Sequence, residues 1–306
     1  MSLGYDGRLY ILAFDHRGSF ESKLFGIKGR PDAEQVERIK DAKMLIAEGF
    51  ERALKRGAPK DQAGILVDEQ YGSAIARRAH EHGWTFAMPV EKSGQDEFDF
   101  EYGEDFGRHI DEFEPTFCKV LVRYNPDADS ASNRRQAERL ARLSNWLRGR
   151  DGRFLFELLV PATDEQLAMV GGDGQRYDRE VRPGLMLNAI TELHGSGVEP
   201  DVWKIEGLDR QEDCRRIAGL VRGGGRDEVG CVVLGRGADA SAVEHWLRQG
   251  AGVEGYVGFA IGRTIWWDAL TSWLDGSMDR EQAAEQIADN YLWAIDVYDE
   301  ASAPSA

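Results

Sequence analysis

Disulfide chemistry is the first thing this sequence excludes. Three cysteines in 306 residues, Cys118, Cys214 and Cys231, are odd in number, widely spaced and mostly flanked by apolar residues, which fits small core residues in a reducing compartment. Histidine is scarce as well: the six present never form a convincing ligand set, so no metal and no zinc-dependent chemistry is expected. The one tempting pair, in the HEH of His80–His82, falls late in a helical stretch beside Arg77 and Arg78, where a solvated surface is the simpler account. Apolar residues never run for the roughly 18 positions that a membrane span needs. The start, MSLGYDGR, has neither the charged nor the apolar region of a signal peptide. A soluble, cytoplasmic protein with no membrane partner is therefore expected.

Basic residues are in deficit, 38 against 54 acidic, for a formal net charge of -16. Most of the surface repels a phosphate backbone, so no nucleic-acid partner is expected, and an anionic substrate needs a local basic pocket. Neither a P-loop nor a GxGxxG pattern occurs, which leaves no cofactor implied. GGGR at Gly223–Arg226 follows a helical pattern and precedes a strand, so it reads as a turn on the non-catalytic side. No Pro/Gly linker and no repeat beyond strand-helix alternation divides the chain.

What is present is that alternation. Short β-rich runs at Leu9–Phe14, Gly64–Val67, Thr85–Val90, Phe117–Tyr124, Phe154–Val160, Asp201–Ile205, Cys231–Leu234 and Tyr256–Ala260 number eight. Between them, Ala33–Arg56, Ser132–Arg148, Pro183–His194, Arg210–Arg222 and Ala240–Gln249 carry apolar residues three and four apart, with Gly57, Gly149 and Gly250 as stops for three of these helices. A last helix is predicted from about Asp279 to Tyr298, with Asp279 and Gln282 in capping-box spacing. The pattern predicts a (β/α)8 TIM barrel in one domain over 9–300, a flexible lead-in at 1–8 and a disordered tail at 301–306. The third unit is the weakest, because its strand runs into the acidic EKSGQDEFDFEYGEDF instead of an obvious helix.

Four ionisable residues interrupt or end these apolar runs: Asp15, Lys119, Glu157 and Lys204. In a closed barrel of this kind, reactive groups gather at the carboxyl ends of the strands. Alternation in DVWKIEG puts Val202 and Lys204 inside, and Trp203 and Ile205 against the outer helices. A buried lysine is costly unless its neutral form is useful, as in a Schiff-base nucleophile. A free lysine titrates at about 10.4; the neighbouring ammonium of Lys119 and an apolar wall both favour the uncharged amine. Glu157 is placed to shuttle protons as the carbinolamine forms and dehydrates. Asp15 is placed to take a hydroxyl proton as a carbon-carbon bond breaks, with the iminium on Lys204 as electron sink. Each residue alone also fits a rim lysine or a buried ion pair, but four at equivalent strand ends favour a site.

A second constellation follows strands seven and eight, in VLGRGAD and GFAIGR. Gly235, Gly237 and Gly262 let backbone N–H groups approach a phosphate, and Arg236 and Arg263 add charge. The long segments Glu91–Phe106 and Gly171–Arg182 are candidate lids.

LYILAFDHRGSF, VDEQYG (Val67–Gly72), FCKVLVRYNPDAD (Phe117–Asp129), DVWKIEG, VVLGRGAD and VGFAIGRTIWWDAL together resemble one family. It is the aldolase-like domain often fused behind 5-dehydro-2-deoxygluconokinase in bacterial inositol catabolism, and the likeness runs from roughly Leu9 to Leu270. More distantly, the chain is similar to the class I tagatose-bisphosphate and sulfofructose-phosphate aldolases. That resemblance implies Lys204 as Schiff-base lysine, Glu157 as proton shuttle, Lys119 as the strand-four lysine, Asp15 as the strand-one aspartate with His16 in place of a glutamine, and Gly262 with Arg263 at the phosphate. It further implies cleavage of 6-phospho-5-dehydro-2-deoxygluconate to dihydroxyacetone phosphate and malonate semialdehyde. Arg17 and Arg123 are the candidates for a second anionic group. The expected partner is thus a small phosphorylated sugar. Rival readings are a sugar-phosphate-binding barrel without catalysis, or a phosphosugar isomerase or epimerase using Glu157 as base. TIWWDAL offers either an interface for a homo-oligomer or core packing.

Overall fold

Eight short runs rich in β-branched and aromatic residues become parallel strands in the computed structural model, which describes residues 2–303. They are β1 (Leu9–Ala13), β2 (Ala63–Leu66), β3 (Thr85–Pro89), β4 (Phe117–Arg123), β5 (Arg153–Leu159), β6 (Val202–Glu206), β7 (Gly230–Leu234) and β8 (Tyr256–Ile261). Each pairs with the next and β8 pairs back with β1, closing the barrel. The protein is a single (β/α)8 TIM barrel. Side chains alternate as the pleat requires: Leu9, Ile11, Phe117, Leu155, Val202 and Val232 fill the interior, while Tyr10, Phe156, Trp203 and Phe259 pack outward against the helices.

Acidic caps start most of the long helices. Asp32 and Gln35 form a full capping box before Ala33–Lys55, and Asp279 and Gln282 do the same before Arg280–Ser302. These two helices lie against each other closely enough that a Cβ on Gly49 would sit 2.5 Å from Ile287 Cγ2, so only glycine fits there. Trp266, in TIWWDAL, is core: it is fully buried and its indole N–H donates to the Ala13 carbonyl at 2.9 Å.

Four expectations need correction. The third unit does contain a helix, Phe106–Phe113, after a short 3-10 turn. It is only eight residues long, and its apolar contacts Phe106, Ile110 and Phe113 are embedded in an acidic stretch that obscures their period. Gly250 does not stop its helix, which runs Ala240–Ala251. Its role is packing, since a Cβ there would meet Val233 Cγ2 at 2.9 Å. Residues 2–8, expected as a flexible lead-in, are tied to the lower end of the barrel: the Gly4 N–H donates to Asp201 Oδ1 at 2.8 Å and Tyr5 packs edge-on against Phe117. The final helix extends to Ser302, through part of the expected tail; residues 304–306 lie outside the described residues. No helix among the described residues is long and apolar enough to cross a membrane.

Candidate active site

Strand geometry brings the predicted residues together at the carboxyl end. Glu157 on β5 and Lys204 on β6 are register partners, and Lys204 Nζ lies 3.0 Å from Glu157 Oε2. Lys119 Nζ, from β4, lies 3.1 Å from the same oxygen and donates to Asp15 Oδ2 at 2.7 Å. A residue missed from sequence completes the cluster: Glu91 Oε1 accepts from Lys119 Nζ at 2.8 Å. All five side chains are buried. Glu91 stands two residues beyond the end of β3, as Asp15 does beyond β1; that equivalence was the available signal, hidden by the acidic segment that follows.

Burial alone would strip Lys119 of its charge, but Asp15, Glu157 and Glu91 outweigh it and raise its pKa above the ordinary lysine value. Its ammonium is thus compensated by three carboxylates, and is not the isolated positive charge that the sequence places beside Lys204. Burial pushes the Asp15 carboxyl up, yet Lys119 above all, with His16 and Lys204, holds it well below the usual carboxylate range. Glu157 is likewise lowered, burial being overcome by Lys119 and Lys204. Glu91 goes the other way: burial dominates the attraction of Lys119 and Arg17 and raises it.

The cluster forms the floor of a cavity of about 1020 Å³. Gly235, Arg236, Gly237, Gly262 and Arg263 line one wall, and Arg17, Lys92, Gln95 and Arg123 another. Gly237 has a φ of +71°, and a Cβ there would sit 2.4 Å from Arg263 Cζ; Arg263 in turn donates to the Arg236 carbonyl at 2.7 Å. The N-terminus of helix Arg263–Leu274 opens at Gly262 into the same wall. Arg236, expected as a free phosphate ligand, is engaged by Asp178 at 2.6 Å and by Glu206 at 3.0 Å. Arg17 is likewise occupied, donating to Glu101 at 3.1 Å and to the Glu91 carbonyl at 2.7 Å. Arg123 donates to the Gln95 carbonyl at 2.8 Å, a neutral partner, and no carboxylate lies within ion-pair distance of it among the described residues. Both candidate lids contribute lining residues, among them Ser93 and Gly94 from the first and Gln175 and Tyr177 from the second.

A further pair lies just beneath. Lys43, fully buried on helix Ala33–Lys55, donates to the carbonyls of Phe14 at 2.8 Å and His16 at 2.9 Å and to the Asp68 carboxylate. Asp68 also caps helix Glu69–His82 through Tyr71 N–H. The VDEQYG motif therefore fixes the turn that carries Asp15. The HEH histidines are elsewhere, with His80 largely exposed and His82 stacked on Trp84. Arg226 of GGGR pairs with Glu199. Among the described residues no group of three or more His, Cys, Asp or Glu is placed to hold a metal ion.

These contacts place two buried amines and three buried carboxylates in one cluster at the carboxyl end of a (β/α)8 barrel, beside a cavity walled by arginines. Residues 5–302 match the family described as an uncharacterized protein conserved in bacteria (DUF2090), and the chain belongs to that family. No curated protein matches the sequence. Among solved structures, the fold is similar to fructose-bisphosphate aldolase from Plasmodium falciparum, in a complex with TRAP and a small-molecule inhibitor. There the TM-score is 0.67 and identity 14%, with 97% of this chain and 91% of that one covered. It is also similar to a Schiff-base-forming fructose-1,6-bisphosphate aldolase, at a TM-score of 0.52 and 15% identity, with 92% and 94% covered. At these identities the likeness establishes the shared barrel.

Proposed function

We propose that this protein is a class I aldolase that cleaves a phosphorylated ketose through an imine on Lys204. The observation that carries this reading is the contact of Lys204 Nζ with Glu157 Oε2 at 3.0 Å inside the barrel mouth. Lys204 gives a proton to Glu157 and attacks the ketone carbon as the free amine; the added nitrogen sheds a second proton to Glu157, and the two protons pass in turn to the carbinolamine oxygen, which leaves as water. The resulting iminium accepts the electron pair of the breaking carbon-carbon bond. Neighbouring solved structures that are themselves aldolases of this barrel type agree with the reading.

The substrate we infer is 6-phospho-5-dehydro-2-deoxygluconate, yielding dihydroxyacetone phosphate and malonate semialdehyde. In a ring of eight strands, β7 and β8 lie opposite β3 and β4. A phosphate at Gly237, Gly262 and Arg263 and a carboxylate at Arg123 would then terminate opposite ends of one extended keto acid, with the ketone over β6. That arrangement supports a doubly anionic substrate. The test is to incubate the protein with dihydroxyacetone phosphate, reduce with borohydride, and map the mass increment. An adduct on the peptide containing Lys204, absent from Lys204→Met, is expected. No adduct, or one that survives that substitution, rejects the imine and leaves a non-covalent isomerase or a binding module.

A further inference from the structure

Resting on the aldolase reading, we infer that Glu91 is a catalytic residue: it is the base that takes the proton from the β-hydroxyl of the imine-bound substrate as the carbon-carbon bond breaks.

The argument begins with position. A ketone held over β6 and a phosphate on the β7–β8 wall leave the rest of the chain running toward β4 and β3. The hydroxyl that must lose its proton lies two carbons beyond the ketone, on that side. Glu91 follows β3 and lines the cavity there. It stands three polar contacts from Lys204, through Lys119 at 2.8 Å, Glu157 at 3.1 Å and Lys204 itself at 3.0 Å.

Occupancy comes next. Asp15 Oδ2 is taken by Lys119, and Glu157 Oε2 is shared by two lysines. Each of the three gives one oxygen to Lys119, and of their remaining oxygens only Glu91 Oε2 is, among the described residues, both enclosed and without a hydrogen-bond partner. A buried carboxylate oxygen left unsatisfied is costly, and a substrate hydroxyl brought against it would supply the missing donor. Basicity agrees: burial raises the Glu91 carboxyl, whereas Lys119 makes Asp15 a weaker base than an ordinary aspartate. Arg17, 3.6 Å from Glu91 Oε1 and donating to its carbonyl at 2.7 Å, fixes the residue against the wall.

The step balances without a co-reactant. The hydroxyl O–H bond breaks and its proton goes to Glu91; the oxygen's electron pair closes the aldehyde C=O. The pair of the broken carbon-carbon bond moves to the imine carbon, and the C=N pair settles on Lys204 nitrogen as an enamine.

Glu91→Gln separates this step from imine formation. With dihydroxyacetone phosphate and borohydride, the variant should still be labelled at Lys204, which also reports that it folds. Its consumption of dihydroxyacetone phosphate with malonate semialdehyde, or with another short aldehyde that the wild type uses, should fall at least about 100-fold. Turnover within about threefold of wild type overturns the assignment. So does loss of labelling together with turnover, or the labelled-but-inactive pattern appearing in Asp15→Asn and not in Glu91→Gln. If the wild type itself is not labelled, the aldolase reading fails and Glu91 falls with it; if it is labelled but turns over no aldehyde, the base assignment alone is lost.

Discussion

Lys119 and Lys204 are held against a single atom, Glu157 Oε2, at 3.1 and 3.0 Å. On the proposed imine mechanism, one oxygen between two amines makes Glu157 the group through which the protons of imine formation would pass.

Replacing Glu157 with Gln keeps the shape and removes the acceptor. Borohydride trapping of dihydroxyacetone phosphate on Lys204 should slow by about 10² to 10³, the usual worth of a positioned acid-base group. The rate of adduct appearance by intact-protein mass measures it. An unchanged rate would assign proton shuttling to another residue.

At the opposite wall, Gly237→Ala tests the anion site without touching the amines. The new Cβ would fall 2.4 Å from Arg263 Cζ, at a φ of +71° that alanine adopts only under strain. The flexible Arg263 side chain must swing away and give up its bond to the Arg236 carbonyl. We expect the concentration of dihydroxyacetone phosphate needed for half-maximal labelling to rise about tenfold, while the labelling rate at saturation changes little. Equal losses in both would place Gly237 outside the phosphate site.

Lys43 should matter for folding. Its Nζ serves two carbonyls and the Asp68 carboxylate in a site closed to solvent. Lys43→Met orphans a buried charge and should cost about 3 to 5 kcal/mol in denaturant unfolding. Adding Asp68→Asn removes that charge while keeping an N-cap for helix Glu69–His82. The double variant should regain more than about 1 kcal/mol of the loss; no recovery would show that the pair is not coupled.

The barrel was legible because its strands are eight short apolar runs separated in most cases by helical patterns, and because Lys204 breaks one of them at an inward position that alternation identifies. Asp15, Lys119 and Glu157 were readable by the same logic. Glu91 was not: it occupies the position equivalent to Asp15, but it opens an acidic segment whose composition reads as solvated loop. The engagement of Arg236 was hidden for another reason. Its partner Asp178 is 58 residues away on the segment between β5 and β6, and no local pattern links the two. Gly250 shows the limit of local rules in reverse, since a helix-stopping residue was retained inside a helix to let β7 and β8 approach it.

His16 gives the structure a pH signature of its own. Burial pushes its pKa down to about 4, helped by Arg263, Lys204 and Lys43 against the opposing pull of Asp15. In the unfolded chain the same imidazole titrates near 6.5. The sign follows from linkage: the unfolded state binds the proton first, so the contribution of neutral His16 is complete above about pH 6.5 and is lost as pH falls toward 4. The shift corresponds to roughly 3 kcal/mol across that window. Unfolding free energies at pH 7, 5.5 and 4.5 for the wild type and His16→Gln should therefore converge as the solution is acidified, the wild type losing more than the variant. Taking the difference between the two cancels much of what Asp15, Glu157 and Glu91 contribute. Parallel pH dependences would show that the imidazole takes up its proton over the same pH range folded and unfolded, and would overturn the downward shift.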